Sequence, residues 1–302
     1  MLARAMRCTP QDKVTQGIWA AVAAFAFFPS FHAIVKALSS HYSIFQLMAF
    51  MALAALLPVT LMLLHARRQG RIRISRPRLV FMRAVISGLM AVSVFYALSR
   101  LPMSVAYSVQ FSGPLFAAGL STVFLGEKVG WRRWVGITVG FIGILIILRP
   151  GVTDFNTGYL ASLAVAVLFA CNAMILRTVG GGEPGGALVA AHVAGILAFS
   201  LPMLPSVYIE PTWLDLGWMF LTGLLMSSGH LCLVQSLRWA PVSSVSAFQY
   251  TQLVWGLLFG ILLFDDFPDA IALAGAVLVV GSAFYVGMTQ SSSSAASDPA
   301  KA

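Results

Sequence analysis

The sequence predicts an all-α integral membrane protein with ten transmembrane helices, arranged as two inverted five-helix repeats. Three observations support this fold class: an apolar composition, ten apolar runs of membrane-spanning length, and a second half that repeats the first. Of the 302 residues, 59% are hydrophobic and 10% are charged, whereas about 25% are charged in a typical soluble domain. A water-soluble fold of this chain would have too few polar residues to cover its surface.

The ten apolar runs are each long enough to cross a bilayer, whose hydrocarbon core of about 30 Å requires about 20 helical residues. Because backbone amides in lipid must be satisfied internally, each run is predicted to be helical. In order, the predicted spans cover residues 16–35, 44–64, 80–99, 103–125, 132–149, 157–178, 187–207, 214–236, 242–264 and 270–288.

The basic residues predict the orientation. With the N-terminus in the cytoplasm, the cytoplasmic side receives all but three of the 19 lysines and arginines, and Arg83 is counted on that side. Only Lys36, Arg100 and Arg149 fall outside, which is the asymmetry that the positive-inside rule requires. The N-terminal arm, 1–15, and a disordered tail, 291–302, are therefore both predicted to be cytoplasmic.

Several other functions are disfavoured by the same sequence. The net charge is +9, but the basic residues lie in short connectors rather than on one face of the protein. No nucleic-acid partner is therefore predicted. The glycine-rich connector 180–186 lacks a following Lys-Ser or Lys-Thr and is not a nucleotide loop. Three cysteines in unpaired spacing and scattered histidines predict no disulfide, no metal site, no catalytic residues and no cofactor.

An internal repeat appears when the sequence is slid against itself at one constant offset. It pairs Leu98 with Leu237, Pro102 with Pro241, Gln110 with Gln249, Gly136 with Gly275, and Glu127 with Asp266, all without a gap. The repeats cover 16–149 and 157–288. Because five helices is an odd number, the second copy enters the membrane upside down, and alternating access is the natural activity of such an arrangement.

The stretch from YALSRLPMSVAYSVQFSGPLF through FLGEKVGWRRWVGITVGFIGILIIL resembles the EamA-type half of the drug/metabolite transporter superfamily. The resemblance implies ten helices, a central cavity, secondary transport and a bacterial inner membrane. Similar members export amino acids, metallophores and other metabolites, while others take up vitamins such as riboflavin or nucleoside-like compounds. The second half departs from the pattern, since Leu253 stands opposite Pro114 and Asp265-Asp266 opposite Gly126-Glu127.

Polar and aromatic side chains on the fourth and ninth spans are the candidates for substrate binding. Gln110 and Gln249 are repeat mates about seven residues into their helices, so they would bracket the membrane midplane about 10 Å apart in depth. Their alternative role is to join helices by hydrogen bonds. The candidate substrate-binding residues are Gln110, Gln249, Tyr107, Tyr250, Phe111, Trp255 and Asn172.

The candidates for coupling or gating are His32, Lys36 and Glu127. His32 and Lys36 lie one turn apart on the first span, and a histidine there can relay protons; Lys36 could instead extend to the membrane interface. Glu127 sits among basic residues, so a surface charge network is its alternative role. Asn172, His192, His230 and Gln235 are embedded polar residues whose alternative is interhelical bonding.

The sequence therefore predicts a secondary transporter of a small organic metabolite, exporting an amino-acid-like, metallophore-like or drug-like solute by default. Uptake of a vitamin or nucleoside-like compound is the alternative, and an intramembrane enzyme or a scaffold are distant ones. The expected partners are the substrate, the lipid bilayer and protons as coupling ion. Glycine pairs such as Gly136/Gly140 and Gly256/Gly260 predict tight packing within the bundle before they argue for a homodimer.

Overall fold

The computed structural model describes residues 10–68, 74–113, 115–116, 120, 131–148, 156–179, 183–239, 249 and 251–295. Within these ranges every regular element is a helix, which confirms the all-helical class. In chain order the helices are α1 (Pro10–Leu38), α2 (Ile44–Arg68), α3 (Pro77–Arg100), α4 (Met103–Gln110), α5 (Trp131–Leu148), α6 (Thr157–Val179), α7 (Gly185–Ser200), α8 (Leu204–Val207), α9 (Trp213–Trp239), α10 (Thr251–Phe264) and α11 (Ala270–Ala295).

Among the described residues, five stretches are long and apolar enough to cross a membrane by length and composition: Val14–Leu38, Ile44–Arg68, Pro77–Arg100, Thr157–Leu176 and Trp213–Ser236. Shorter apolar helices cover Trp134–Ile147, Gly185–Ser200, Thr251–Phe264 and Ala270–Ser282. Large apolar side chains such as Leu262 and Val277 point outward, as helices surrounded by lipid require. The chain is thus a multi-pass membrane protein, while the count of ten spans stays a prediction.

Two predicted spans are broken by proline. The seventh was predicted to be continuous over 187–207, but α7 ends at Ser200 and a turn separates it from α8. Pro202 and Pro205 lack the amide hydrogens that a continuous helix would need there. The fourth was predicted over 103–125, but α4 ends at Gln110, and Phe111 and Ser112 form a turn before helical residues resume at Gly113.

The connectors that the structure describes lie at two opposite ends of the bundle. The end that holds the α1–α2, α3–α4 and α10–α11 connectors is called the α1–α2 end, and the other the α2–α3 end. Between them, α1 packs along α9, α5 along α11, and α3 against both α6 and α7. Further contacts join α2 to α7 and α9, and α10 to α1 and α4. The largest buried cluster, with Met48, Phe95 and Met103 at its centre, lies among these helices.

Hydrogen bonds tie the start of α3 to the α6–α7 connector at the α2–α3 end. Glu183 is buried there, and its Oε1 accepts the backbone N–H groups of Ser75 and Arg76, each at 2.7 Å. The Arg76 guanidinium donates in turn to the carbonyl of Thr178 at the end of α6. The carboxylate therefore stabilises the positive end of α3 and joins three helices.

A comparable set of bonds ties the start of α9 to the α1–α2 connector at the other end. The Gln46 amide donates to the Ile209 carbonyl at 2.6 Å and accepts the Ile209 N–H at 2.9 Å. Tyr42 donates to the Asp215 carboxylate at 2.8 Å. These bonds fix the first turn of α9 against α2.

Glycines let several helices touch backbone to backbone. A Cβ placed on Gly195 of α7 would lie 1.8 Å from the carbonyl oxygen of Ala84 on α3, and one on Gly275 of α11 would lie 2.8 Å from the Gly143 oxygen. Two of the sequence-predicted glycines also pack inside the bundle, Gly140 against Leu115 and Gly256 against Tyr107. Where α7 crosses α3, position 195 therefore has no room for even a Cβ atom.

We expect Gly195→Val to destabilise the protein by about 3 kcal/mol or more, because overpacking usually costs about 1–3 kcal/mol and here the obstacle is a backbone carbonyl. Thermal unfolding of the purified protein in detergent measures the effect. Gly217→Ala on α9 is the matched control, since a Cβ there meets nothing within 4 Å. We expect the control to change stability by at most about 1 kcal/mol, in the stabilising direction; equal effects in the two variants would contradict the close crossing.

Candidate functional site

Lys36 joins three parts of the bundle at the α1–α2 end. Its ammonium donates to the carbonyl of Leu101, between α3 and α4, at 2.8 Å. It also lies 3.2 Å from the Asp266 carboxylate, in the α10–α11 connector, and 5.2 Å from the centre of the Phe264 ring. The side chains of Lys36 and Asp266 keep 15% and 23% of their exposure. Lys36 is thus held by groups of the protein itself at this end of the bundle.

The backbone of the α10–α11 connector positions Asp266 for this contact. Asp265 has φ of 51°, a left-handed conformation that aspartate tolerates better than most residues. The N–H of Asp266 then bonds back to the carbonyl of Gly260 at 3.0 Å. The helix therefore ends abruptly, and the carboxylate is held beside α1.

One turn deeper on α1, His32 meets Tyr107 of α4. The imidazole Nδ1 lies 2.7 Å from the tyrosine hydroxyl, and Tyr107 is buried. The tyrosine ring packs on Gly256 of α10 and stacks near Phe111, with ring centroids 6.4 Å apart. Phe95 of α3 completes the surroundings of His32 at 6.4 Å. Three predicted site residues, His32, Tyr107 and Phe111, therefore form one cluster.

Gln110 lies at the break in α4. Its side chain is half-buried, and its Nε2 is buried without a hydrogen-bond partner among the described residues. Four residues on, Pro114 has no N–H to donate to the Gln110 carbonyl. Interrupted helices in transporters place free polar groups near the membrane midplane, so Gln110 retains the features of a substrate contact.

Of the remaining candidates on the fourth and ninth predicted spans, the structure describes Gln249 and Trp255. Gln249 is half-buried, and Trp255 stacks on Phe259 of its own helix with centroids 5.8 Å apart. Tyr250, Glu127 and Pro114 lie outside the described residues. Their proposed roles, and the 10 Å separation expected between the two glutamines, stay predictions.

Arg83 is the polar residue that the sequence analysis misplaced. It was assigned to the cytoplasmic connector, but α3 starts at Pro77 and buries Arg83 in its second turn, with 4% exposure. Its Nε donates to the Leu188 carbonyl of α7 at 3.2 Å, and Nη1 donates to Oδ1 of Asn172 on α6 at 2.7 Å. The burial of Arg83 could have been predicted, since this residue lies inside the predicted span 80–99.

Two histidines face each other on α7 and α9, His192 being one turn after the Leu188 that accepts from Arg83. The rings of His192 on α7 and His230 on α9 are 4.1 Å apart between centroids, at 36°. His230 Nδ1 bonds to the Met226 carbonyl one turn back at 3.0 Å, while His192 Nδ1 is buried with no partner in the described part of the chain. No cluster of potential metal ligands is found among the described residues.

A cavity of about 330 Å³ opens between α4, α10 and α11. Its walls are mostly aliphatic, including Leu253, Leu257 and Ala276, with Ser104 and Ser108 as polar members. It also borders the outward-facing Val277, so it opens toward the lipid face. Its lining therefore offers few hydrogen-bond partners to a small metabolite.

The comparisons with known proteins identify the family. A family model described as the EamA-like transporter family matches the chain over residues 15–149 and 156–288. The chain belongs to the EamA-like transporter family. It is therefore a transporter of small metabolites and not an enzyme, and the resemblance to the drug/metabolite transporter superfamily is confirmed.

The similar EamA-like proteins differ in direction and substrate. An S-adenosylmethionine uptake transporter of Rickettsia bellii is 28% identical over 221 residues, 72% of this chain and 75% of that protein. A pseudopaline exporter, CntI, of Pseudomonas aeruginosa is 24% identical over 283 residues, 92% of this chain and 98% of that protein. A solved crystal structure aligns with 92% of this chain and with 97% of the residues of the solved chain. The sequence identity is 17% and the TM-score is 0.62, so the two proteins share a fold.

We expect Tyr107→Phe to lower the free energy of unfolding by about 1–3 kcal/mol, because it leaves the imidazole of His32 without its partner in a buried site. Unfolding in detergent, followed by tryptophan fluorescence, measures the change. Tyr208→Phe removes a hydroxyl from a half-exposed ring and should change stability by about 0.5 kcal/mol or less. Similar losses in both variants would mean that the His32–Tyr107 contact contributes nothing.

Proposed function

We propose that this EamA-like protein is a secondary transporter that exports a small amino-acid-like, metallophore-like or drug-like metabolite by alternating access across a bacterial inner membrane. Its two five-helix halves are inverted repeats, and both termini face the cytoplasm. The α1–α2 end then faces outward and the α2–α3 end inward. Uptake of a nucleoside-like compound is the second candidate, favoured by the likeness to an S-adenosylmethionine uptake transporter.

The pattern of helix contacts is the observation that carries this proposal. Suppose that α1 exchanges with α6, α2 with α7, α3 with α9, α4 with α10 and α5 with α11. The α1–α9 contact then becomes α6–α3, α2–α9 becomes α7–α3, and α1–α10 becomes α6–α4, while α5–α11 and α2–α7 map onto themselves. Each of these pairs is a contact in the bundle, which is what an inverted repeat requires.

The hydrogen bonds at the helix ends follow the same exchange. At the α2–α3 end, the start of α3 is tied to the α6–α7 connector through Glu183. At the α1–α2 end, Tyr42 of the α1–α2 connector is bonded to Asp215 in the first turn of α9, and Gln46 of α2 to Ile209 shortly before that helix. The residue types differ, but equivalent elements are joined at opposite ends. This supports two equivalent helix bundles, α3–α6–α7 and α1–α2–α9. Each would adopt the conformation of the other when the transporter changes between its outward-open and inward-open states.

The contacts of Lys36 would close the outward end in this arrangement. An ion pair that is partly exposed contributes on the order of 1 kcal/mol, and a hydrogen bond from a charged group about 1.5–3 kcal/mol. A sum of this size matches the few kcal/mol that separate two conformations of a switching protein. Breaking the bonds from Lys36 to Leu101 and Asp266 is then the step that opens the protein outward.

The His32–Tyr107 contact lies directly beneath that closure and is the site we propose for proton coupling. Histidine changes charge near neutral pH when unperturbed, and a protonated ring would donate from Nδ1, so that the Tyr107 hydroxyl would have to accept. The substrate would be held beside it by Gln110 and Phe111, with Gln249, Tyr250 and Trp255 from the other half. A role for Glu127 as gate, and a homodimer, remain part of the sequence-based hypothesis.

Untargeted mass spectrometry of cells and medium tests the function and its direction. Cells expressing the intact protein are compared with cells expressing a Gln110→Ala/Gln249→Ala variant at the same level. We expect at least one compound to be depleted inside and enriched outside, by about threefold or more, only with the intact protein. Accumulation inside would favour the uptake candidate, and identical metabolite profiles would contradict the proposed transport.

Cysteine labelling from outside tests the closure. In a cysteine-free background with Gln110→Cys as reporter, we expect Lys36→Met to raise the labelling rate by about tenfold, since about 1.4 kcal/mol of closing energy is lost. Arg100→Met is the matched control, because Arg100 is a cation at the same end that packs over Tyr96 of its own helix, 5.4 Å from the ring centre.

The same labelling checks the orientation. A cysteine at Ser40, exposed in the α1–α2 connector, should react in intact cells, whereas one at Ile74 should react only after permeabilisation. The reverse pattern would contradict cytoplasmic termini. An equal rise in the Lys36→Met and Arg100→Met variants would mean that loss of charge, rather than loss of the Lys36 contacts, opens the protein.

A further inference from the structure

A buried guanidinium lies in the wall between α3, α6 and α7. Arg83 is 4% exposed, and both of its hydrogen bonds go to neutral oxygens, the Leu188 carbonyl and the Asn172 amide. An arginine side chain has five N–H donors. In the described part of the chain, these two bonds are the hydrogen bonds found for the Arg83 side chain, and neither acceptor is charged.

No acidic side chain in the described part of the chain forms an ion pair with Arg83; the ion pair found there joins Lys36 and Asp266. Glu183 lies toward the end of the same helix group; its Oε1 accepts from the backbone of Ser75 and Arg76 and its Oε2 is buried without a hydrogen-bond partner, yet neither oxygen pairs with Arg83 within the described residues. A charge within a membrane-spanning segment is costly unless a partner or a ligand compensates it. A neutral amide and a carbonyl orient the guanidinium but leave its charge unbalanced.

The neighbouring side chains on α7 and α9 add polar atoms without adding negative charge. His192 lies one turn after Leu188, whose carbonyl accepts from Arg83, and its ring is 4.1 Å from that of His230. His192 Nδ1 is buried without a partner among the described residues. A buried cation that is bonded only to neutral oxygens, with an unpartnered imidazole nitrogen on a helix that it contacts, predicts a ligand that accepts hydrogen bonds and carries a negative charge.

We propose that Arg83, together with His192 and Asn172, binds the carboxylate group of the transported metabolite. This inference rests on the proposed function, because it assigns one part of the substrate to one wall of the transport path. A planar carboxylate matches the fork of a guanidinium and takes two parallel hydrogen bonds. A single arginine beside imidazoles provides for one negative charge, which favours a carboxylate over a doubly charged phosphate.

The helix packing holds this group in a fixed position. The backbone of α3 touches that of α7 at Ala84 and Gly195, directly next to Arg83. Asn172 fixes the guanidinium from α6. Arg83 is six residues into α3 from Pro77, about 9 Å from the α2–α3 end. A carboxylate entering from that end would reach Arg83 before it reached the cluster of His32 and Tyr107.

Asn172→Asp is the sharpest test, because it places a carboxylate where an amide already accepts from Arg83 at 2.7 Å. This built-in anion should compete with that of the substrate. We expect the variant to unfold at a temperature equal to or higher than that of the intact protein, yet to transport less than a tenth as much of the compound found by metabolite profiling. Transport at the normal rate in a folded Asn172→Asp protein would overturn the proposal.

Removing the charge gives the second test. Arg83→Gln should lose transport at least tenfold, whereas Arg78→Gln, which removes an exposed charge from the same helix, should keep it. Every compound that the intact protein moves should carry a carboxylate. Transport of a compound without an anionic group, or equal losses in the two arginine variants, would contradict the inference.

A binding measurement separates this inference from the proposed function. The full-length protein in lipid nanodiscs is heated with acetate, benzoate, L-methionine or L-tryptophan, each compared with its amide. We expect at least one carboxylate to raise the unfolding midpoint while its amide does not, and the response to vanish in Asn172→Asp. If profiling finds no transported compound but this pattern holds, the transport proposal fails and the site stands. No shift with any carboxylate, or equal shifts from acid and amide, would overturn the site.

Discussion

A polar side chain inside a lipid bilayer has no water to bond with, so it must find its partner in the protein or in whatever the protein carries. This requirement organises the bundle. Several of the described polar side chains lie at helix contacts: Lys36 meets the α3–α4 and α10–α11 connectors, His32 meets Tyr107, and Arg83 meets Asn172. Much of the remaining helix contact is made by aliphatic side chains and bare glycine backbone.

These polar places differ in how completely they are satisfied. Lys36 has a carboxylate and a carbonyl, and His32 has a hydroxyl. Arg83 has only neutral acceptors, and Gln110 and His192 each keep a buried nitrogen without a partner in the described residues. A transporter needs this difference, because groups that are already satisfied close the protein and groups that are not can recognise a passing solute. In the proposed mechanism, closure and recognition thus fall to different helices of one small bundle.

The sequence predicted the class and the family well because these depend on sums over many residues. Apolar runs of about 20 residues identify spanning helices whatever their neighbours are. The positions of single charged residues were harder to predict. Arg83 was counted as a connector residue because the orientation rule counts basic residues near helix ends and takes no account of burial. The interruption of α4 could have been read from Pro114 and the missing donor to Gln110.

Contacts between distant segments could not be read from the sequence at all. His32 and Lys36 were selected together on α1, but their partners, Tyr107, Leu101 and Asp266, lie on other elements, and only folding brings them near. Glu183 stood in a glycine-rich connector with no apparent task, yet it fixes the start of α3. Such tertiary pairings are set by helix packing, for which apolar periodicity gives little guidance.

The tie between α3 and the α6–α7 connector also bears on how the chain is assembled. Helix α3 belongs to the first half of the sequence, while the helices that bury Arg83 and cap its N-terminal end belong to the second. During synthesis, which proceeds at about 5–20 residues per second, α3 therefore enters the membrane many seconds before α6 and α7 exist. Its buried charge must stay near the water interface until they arrive. The first five helices cannot complete their packing alone, and maturation of the protein waits for the second half to be inserted.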